Sequence, residues 1–187
     1  EIGGLMWSIS NLNVEEFRNG DLIPEARTNE EWIAYGKTGQ AALCYYDNDS
    51  VNGEKFGKLY NWHAVHDPRG LAPSGWHIPT NEEWLGLNKT LGRNIGCKMK
   101  STEGWRPNCI AFCKNELNSN SSGFTALPGG ERWSNGTFKN MGCSGDWWSV
   151  SESKYAYWPN SEDGLKLSND DSGCGYYVRC IRDDRFQ

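Results

Sequence analysis

The chain has 187 residues, a formal net charge of −5 and a sequence pI of about 5.3, which suits one domain spanning 1–187. That mild acidity argues against nucleic acid, whose phosphates require a basic face, and against docking on anionic lipid. No apolar run approaches the ~20 residues that cross a bilayer, so direct membrane insertion is not expected.

Leu5, Trp7 and Ile9 alternate with Met6, Ser8 and Ser10, a period of two that predicts an N-terminal strand. Thr28-Asn-Glu-Glu31-Trp32 carries a capping box and predicts a short helix that Gly36 and Gly39 stop. Leu59, Trp62 and Val65 recur every three residues, so 59–65 is read as helix. The pentapeptide returns as Thr80-Asn-Glu-Glu83-Trp84. Here Trp84, Leu87, Asn88 and Leu91 share a face and Gly92 ends a longer helix. Residues 92–123 are rich in loop formers. From Phe124 onward the pattern is short strands and turns, closing on a strand at Tyr176–Ile181. Helices early and strands late give an α+β chain with two main helices.

Aromatics carry the hydrophobic content: 10 Trp, 8 Tyr and 6 Phe beside 22 Gly. Trp and Tyr each bury large area, which implies polar loops held by a few bulky anchors. Trp76, Trp84, Trp147 and Trp148 are read as core. Trp133, Tyr155, Tyr157, Trp158 and Tyr176 lie among polar residues and glycines; such rings either give contact area for a ligand or cover a thin core. Asn135-Gly136 signals a two-residue hairpin whose arm carries Glu131, Arg132 and Trp133. Arg132 is expected to meet a buried carboxylate, and Glu131 and Trp133 to flank a ligand.

Seven cysteines, an odd number, leave at least one thiol unpaired within the chain. No spacing fits zinc, and disulfides of an oxidising compartment are the preferred reading, with connectivity open. Calcium is the one cofactor the residues admit, through Asp47, Asp49 and Asn52. An Asx-turn with solvated carboxylates explains that loop better. His63, His66 and His77 lack a third ligand at zinc spacing and are read as ordinary hydrogen-bonded histidines.

Several motifs in order carry a resemblance: Cys44-Tyr45-Tyr46-Asp47-Asn48-Asp49, Gly57-Lys58-Leu59-Tyr60-Asn61-Trp62, Ala72-Pro73-Ser74-Gly75-Trp76-His77-Ile78-Pro79-Thr80, Lys98-Met99-Lys100-Ser101-Thr102, Ser122 to Gly130, Trp147-Trp148-Ser149 and Val178-Arg179-Cys180. Across nearly the whole chain these resemble the Fibrobacter succinogenes major paralogous domain. The resemblance implies a C-type-lectin-like fold with its first and last strands paired, and an origin in bacteria or their phages. It also implies a place in surface lipoproteins and adhesins. Relatives of this fold serve as variable target-binding proteins of diversity-generating retroelements. Cys97 departs from the family's usual Gly, and residues 154–175 lack its regularity.

The resulting expectation is a non-catalytic, extracellular or cell-surface (or phage-borne) binding domain, its partner a protein or glycan on another cell or host. The ligand surface falls on 131–177. Its candidate contacts are Glu131, Trp133, Lys154, Tyr155, Tyr157, Trp158, Asn160, Glu162, Asp163, Lys166, Asn169, Asp170 and Tyr176. The alternative is a copper/thiol oxidoreductase, because the run at 77–84 also resembles formylglycine-generating enzymes. Cys174 and Cys180 stand six apart, however, not as the close pair those enzymes need.

Overall fold

A computed structural model describes residues 1–109, 118–151, 154–157 and 164–183. Helix α1 (Asn29–Thr38) begins on the expected capping box: Thr28 Oγ1 accepts from Glu31 N at 3.1 Å and Thr28 N donates to Glu31 Oε2 at 3.1 Å. It runs through Gly36 and ends at Gly39, whose φ of 71° is left-handed. Strand β1 (Leu43–Cys44), helix α2 (Ser50–Phe56), strand β2 (Leu59–Asn61), helix α3 (Trp62–Val65) and strand β3 (Trp76–His77) follow. Helix α4 (Asn81–Leu91) repeats the capping box at Thr80 and Glu83, and buries Trp84 and Leu87 as its periodicity requires. After α5 (Ile95–Met99) come β4 (Glu131–Arg132), β5 (Phe138–Lys139), β6 (Trp147–Trp148), β7 (Lys154–Tyr157), β8 (Lys166–Asn169), β9 (Gly175–Tyr176) and β10 (Ile181–Arg182).

The strand pairs are antiparallel and form three small sheets, ordered β1-β2-β9-β4-β5, β10-β3 and β6-β7-β8. Helices and antiparallel strands together make the α+β arrangement read from the sequence. Trp147 and Trp148 are neighbours in β6, so the pleat sends them to opposite faces. Trp147 joins the cluster of Trp7, Trp84 and Phe124; Trp148 joins that of Tyr60, Tyr176 and Val178.

The two chain ends meet. Ser8 N donates to Cys180 O at 2.8 Å, Leu12 N to Val178 O at 2.8 Å, and Arg182 N to Met6 O at 2.9 Å. Arg179 locks this seam from inside. Fully buried, it donates to Asn11 Oδ1 (2.8 Å), Ser8 O (2.6 Å) and Thr125 O (3.0 Å), with its guanidinium 4.4 Å from the Phe124 ring centre.

Four local expectations need correction. The N-terminal strand is reduced to isolated bridges, Ile2 with Leu5 and Trp7 with Ile181, and Ile9 is 83% exposed. The helix at 59–65 is a strand followed by one helical turn, because Leu59–Asn61 finds partners on both edges and Asn61 caps Trp62–Val65. The closing strand is split, since β9 and β10 pair with different sheets. The hairpin loop has three residues, not two: Trp133 N donates to Thr137 O, Gly136 N to Trp133 O, and Gly136 takes the left-handed φ of 86°.

Cys109 and Cys143 form a disulfide, and Cys97 is also disulfide-bonded. Cys44, Cys174 and Cys180 are free, buried thiols.

Candidate functional site

The β4–β5 hairpin alternates sides. Arg132 turns inward, and Glu131 and Trp133 face a cleft. Among the described residues Arg132 finds no carboxylate, contrary to expectation. It donates to the carbonyls of Gly136, Ala26 and Thr28 at 3.0–3.1 Å and lies between the Trp32 and Phe138 rings. Carbonyls and ring faces satisfy a buried guanidinium without a counter-ion. The same anchoring fixes where Glu131 and Trp133 point.

Strand β7 supplies the opposite wall. Tyr155 and Tyr157 share a face, with ring centres 5.4 Å apart. Tyr155 stacks on Tyr176 at 4.4 Å and 19°, and Tyr176 meets Trp148 edge-on at 4.7 Å. Trp148 is fixed in turn by its Nε1 donating to Tyr60 O at 2.7 Å. An aromatic stack thus runs from core to surface. The cleft it borders has a volume of ≈ 370 Å³ and is lined by Glu131, Trp133, Ser134, Asn135, Tyr155, Asp170 and Cys174.

Three carboxyls gather here. Glu131 is 8% exposed and accepts from Asn140 Nδ2 at 2.7 Å. Asp146 lies beneath, hydrogen-bonded by Ser144, and Asp170 accepts from the Tyr176 hydroxyl. Burial raises the Glu131 carboxyl, and the Asp170 charge adds to the shift. Burial, with the Glu131 charge, pushes Asp146 up to about 8. Among the described residues, the ion pairs fall on Glu15, Asp21, Glu25, Asp67, Glu83 and Asp183; none reaches these three carboxyls. Lys139, cross-strand partner of Glu131, sends its Nζ over the Trp133 ring instead, 5.7 Å from the centre.

Of the sequence-predicted contacts, Glu131, Trp133, Tyr155 and Asp170 are brought together. Tyr157 and its β8 partner Lys166 continue the same face. Lys154 and Asn169, paired with each other, belong by alternation to the reverse face, which carries buried Ala156. Tyr176 is fully buried, so it supports Tyr155 and Asp170 from below. Trp158, Asn160, Glu162 and Asp163 lie outside the described residues. Sequence reasoning missed Asp146, Asn140 and Ser144. A carboxylate in a glycine-flanked turn reads as solvated, and nothing local announces that Trp147-Trp148 drags it inside.

At the calcium candidate, Asp47 and Asn48 take left-handed φ of 55°. Asp49 Oδ1 accepts from Val51 N at 3.0 Å, and Asn52 Nδ2 donates to Tyr46 O at 3.0 Å. The Asx-turn reading describes this loop. Among the described residues, no three His, Cys, Asp or Glu are placed to hold a metal ion. His66 stacks on Trp62 (4.6 Å, 14°), His63 Nε2 is 3.3 Å from Gly36 O, and His77 lies between Asp183 (2.6 Å) and Glu83 (2.9 Å).

Compared with known proteins, the chain matches the Fibrobacter succinogenes major domain over residues 1–182. No curated protein and no solved structure matches it.

Proposed function

The chain belongs to the Fibrobacter succinogenes major domain family, and from that premise we propose that it is a non-catalytic recognition domain of C-type-lectin-like fold. It acts outside the cell, on a bacterial surface or phage particle, and binds a protein or glycan of another cell. The recognition face consists of Trp133, Tyr155, Tyr157, Lys166, Asp170 and Glu131. The observation that carries this reading is Trp133, 43% exposed at the lip of a polar, aromatic cleft. A buried frame holds this ring: Arg132 is anchored on carbonyls and the tyrosine stack on Trp148. Rigid aromatics on loops give large contact area at small entropic cost. The disulfide Cys109–Cys143 suits an oxidising compartment.

The copper/thiol alternative gains no support. Burial pushes Cys174 and Cys180 each up to about 12, whereas thiolate chemistry needs a depressed value. A glycan and peptide array, read with the native domain and with Trp133→Ala/Tyr157→Ala, tests the proposal. Specific signals lost in the folded variant are expected. Signals that the variant keeps at full strength would place recognition elsewhere.

A further inference from the structure

We propose that the cleft beside Glu131 takes an organic ammonium group, a lysine side chain or the amine of an amino sugar, held by Glu131 and Asp170 against the Trp133 and Tyr155 rings. This rests on reading that face as the recognition surface, and it adds the chemical class of what is recognised.

The argument begins with Glu131. It is more than nine-tenths buried and lines the cleft; Trp133, Asn140 and Tyr176 hydrogen-bond it, but no cation among the described residues pairs with it. A buried carboxyl is ordinarily paired or kept neutral, because desolvating an unpaired charge is costly. Here the Asp170 charge intensifies the negative field instead of relieving it.

Among the described residues, the charged and titratable groups that line the cleft or lie next to its lining come from four places. The hairpin gives Glu131 and Lys139, the turn before β6 gives Asp146, β7 gives Tyr155, and the segment from 170 to 176 gives Asp170, Cys174 and Tyr176. Lys139 is the one cation of this set. It rests over the Trp133 ring and makes no ion pair with Glu131.

Aromatic faces beside carboxylates suit a cation, since the ring quadrupole attracts it and the carboxylates accept its N–H donors. Lys139 over Trp133 is an intramolecular instance of the first contact. A metal ion suits the cleft less well, because the described acids do not converge as a metal-holding group. The volume of ≈ 370 Å³ admits a small amine together with part of its carrier. Because a bound cation favours the ionised form of Glu131, whose carboxyl is raised by burial, affinity should rise with pH as that group ionises, with protons released on binding.

Calorimetric titration of the whole domain tests this. The probes are Nα-acetyl-lysine methylamide and glucosamine, each beside its uncharged N-acetylated counterpart. Binding of an amine, with loss of about tenfold or more on acetylation and on Glu131→Gln, is the expected result. Lysine binding alone assigns the source to protein, and glucosamine binding alone to amino sugar. The inference is overturned if neither amine binds, if the acetylated probes bind equally, or if Glu131→Gln binds like the native domain. Should Glu131→Gln fail to fold, Asp170→Asn, at an exposed position, carries the same test. A ligand that needs Trp133 but ignores Glu131 leaves the recognition face standing and removes the ammonium. One that ignores both removes both.

Discussion

Replacing Arg179 by Met should loosen the seam between the chain ends. The guanidinium donates to Ser8 O and Thr125 O, and no other donor reaches either carbonyl among the described hydrogen bonds. Leaving each unsatisfied costs about 1–3 kcal/mol. Asn11 Oδ1 keeps a partner in Trp147 Nε1 at 2.8 Å, so its loss is smaller. The contact with Phe124 contributes about 1 kcal/mol more. Against these stands relief from burying a charge without a counter-ion, the penalty that pushes Arg179 down to about 9. The balance is a loss of about 2–4 kcal/mol, which for a domain of this size lowers Tm by roughly 5–15 °C. Thermal unfolding followed by near-ultraviolet circular dichroism reads this through the tryptophans. A Tm within about 2 °C of the native value would refute the reasoning that this arginine locks the ends.

Asp146→Asn should flatten the pH dependence of stability. Because the folded carboxyl is raised to about 8, its contribution is present below about pH 4 and lost as pH rises through about 8. The native domain should therefore fall behind the variant over that range; parallel Tm curves contradict this. His77 is raised as well: burial lowers it, but the hydrogen bonds and charges of Glu83 and Asp183 together outweigh burial. Its contribution is full below about pH 6.5 and is lost as pH climbs through the raised value. Protection of the Asp183 amide, which donates to Gly75 O, should decline over that window in the native domain and stay level in His77→Gln, measured by hydrogen exchange. Cys143→Ser opens a loop of sequence separation 34 and should cost about 3–4 kcal/mol by chain entropy, measured by denaturant unfolding.

Local signals were legible where the physics is local. Both capping boxes start helices because Thr28 and Thr80 satisfy donors within three residues. Of the four tryptophans assigned to the core, Trp84, Trp147 and Trp148 are fully buried, while Trp76 is only partly buried against the second cluster. What failed depends on distant partners. Leu59–Asn61 is a strand because Leu43–Cys44 and Gly175–Tyr176 lie on its two sides. Arg132 turned to carbonyls of Ala26 and Thr28, more than a hundred residues away, and no local pattern announces such a partner. Glu131, Trp133, Tyr155 and Asp170 were read as one surface from composition, and they share one cleft. The same reading swept in Lys154 and Asn169, because it took a stretch of chain as a face and ignored the alternation of a strand. Tyr176 shows the related error: a tyrosine beside glycine reads as displayed, yet here the close backbone at Gly175 accommodates the Trp32 ring and the tyrosine is sealed inside.

Saturation substitution of residues 131–177, sorted for folded display on a cell surface, separates frame from face without any ligand. The account predicts that Arg132, Trp147, Trp148 and Tyr176, all fully buried, accept almost nothing, while Trp133, Tyr157 and Asp170 accept polar and small residues with little loss. If Trp133 and Tyr157 prove as intolerant as Trp148, they are structural covers, and the recognition face does not exist.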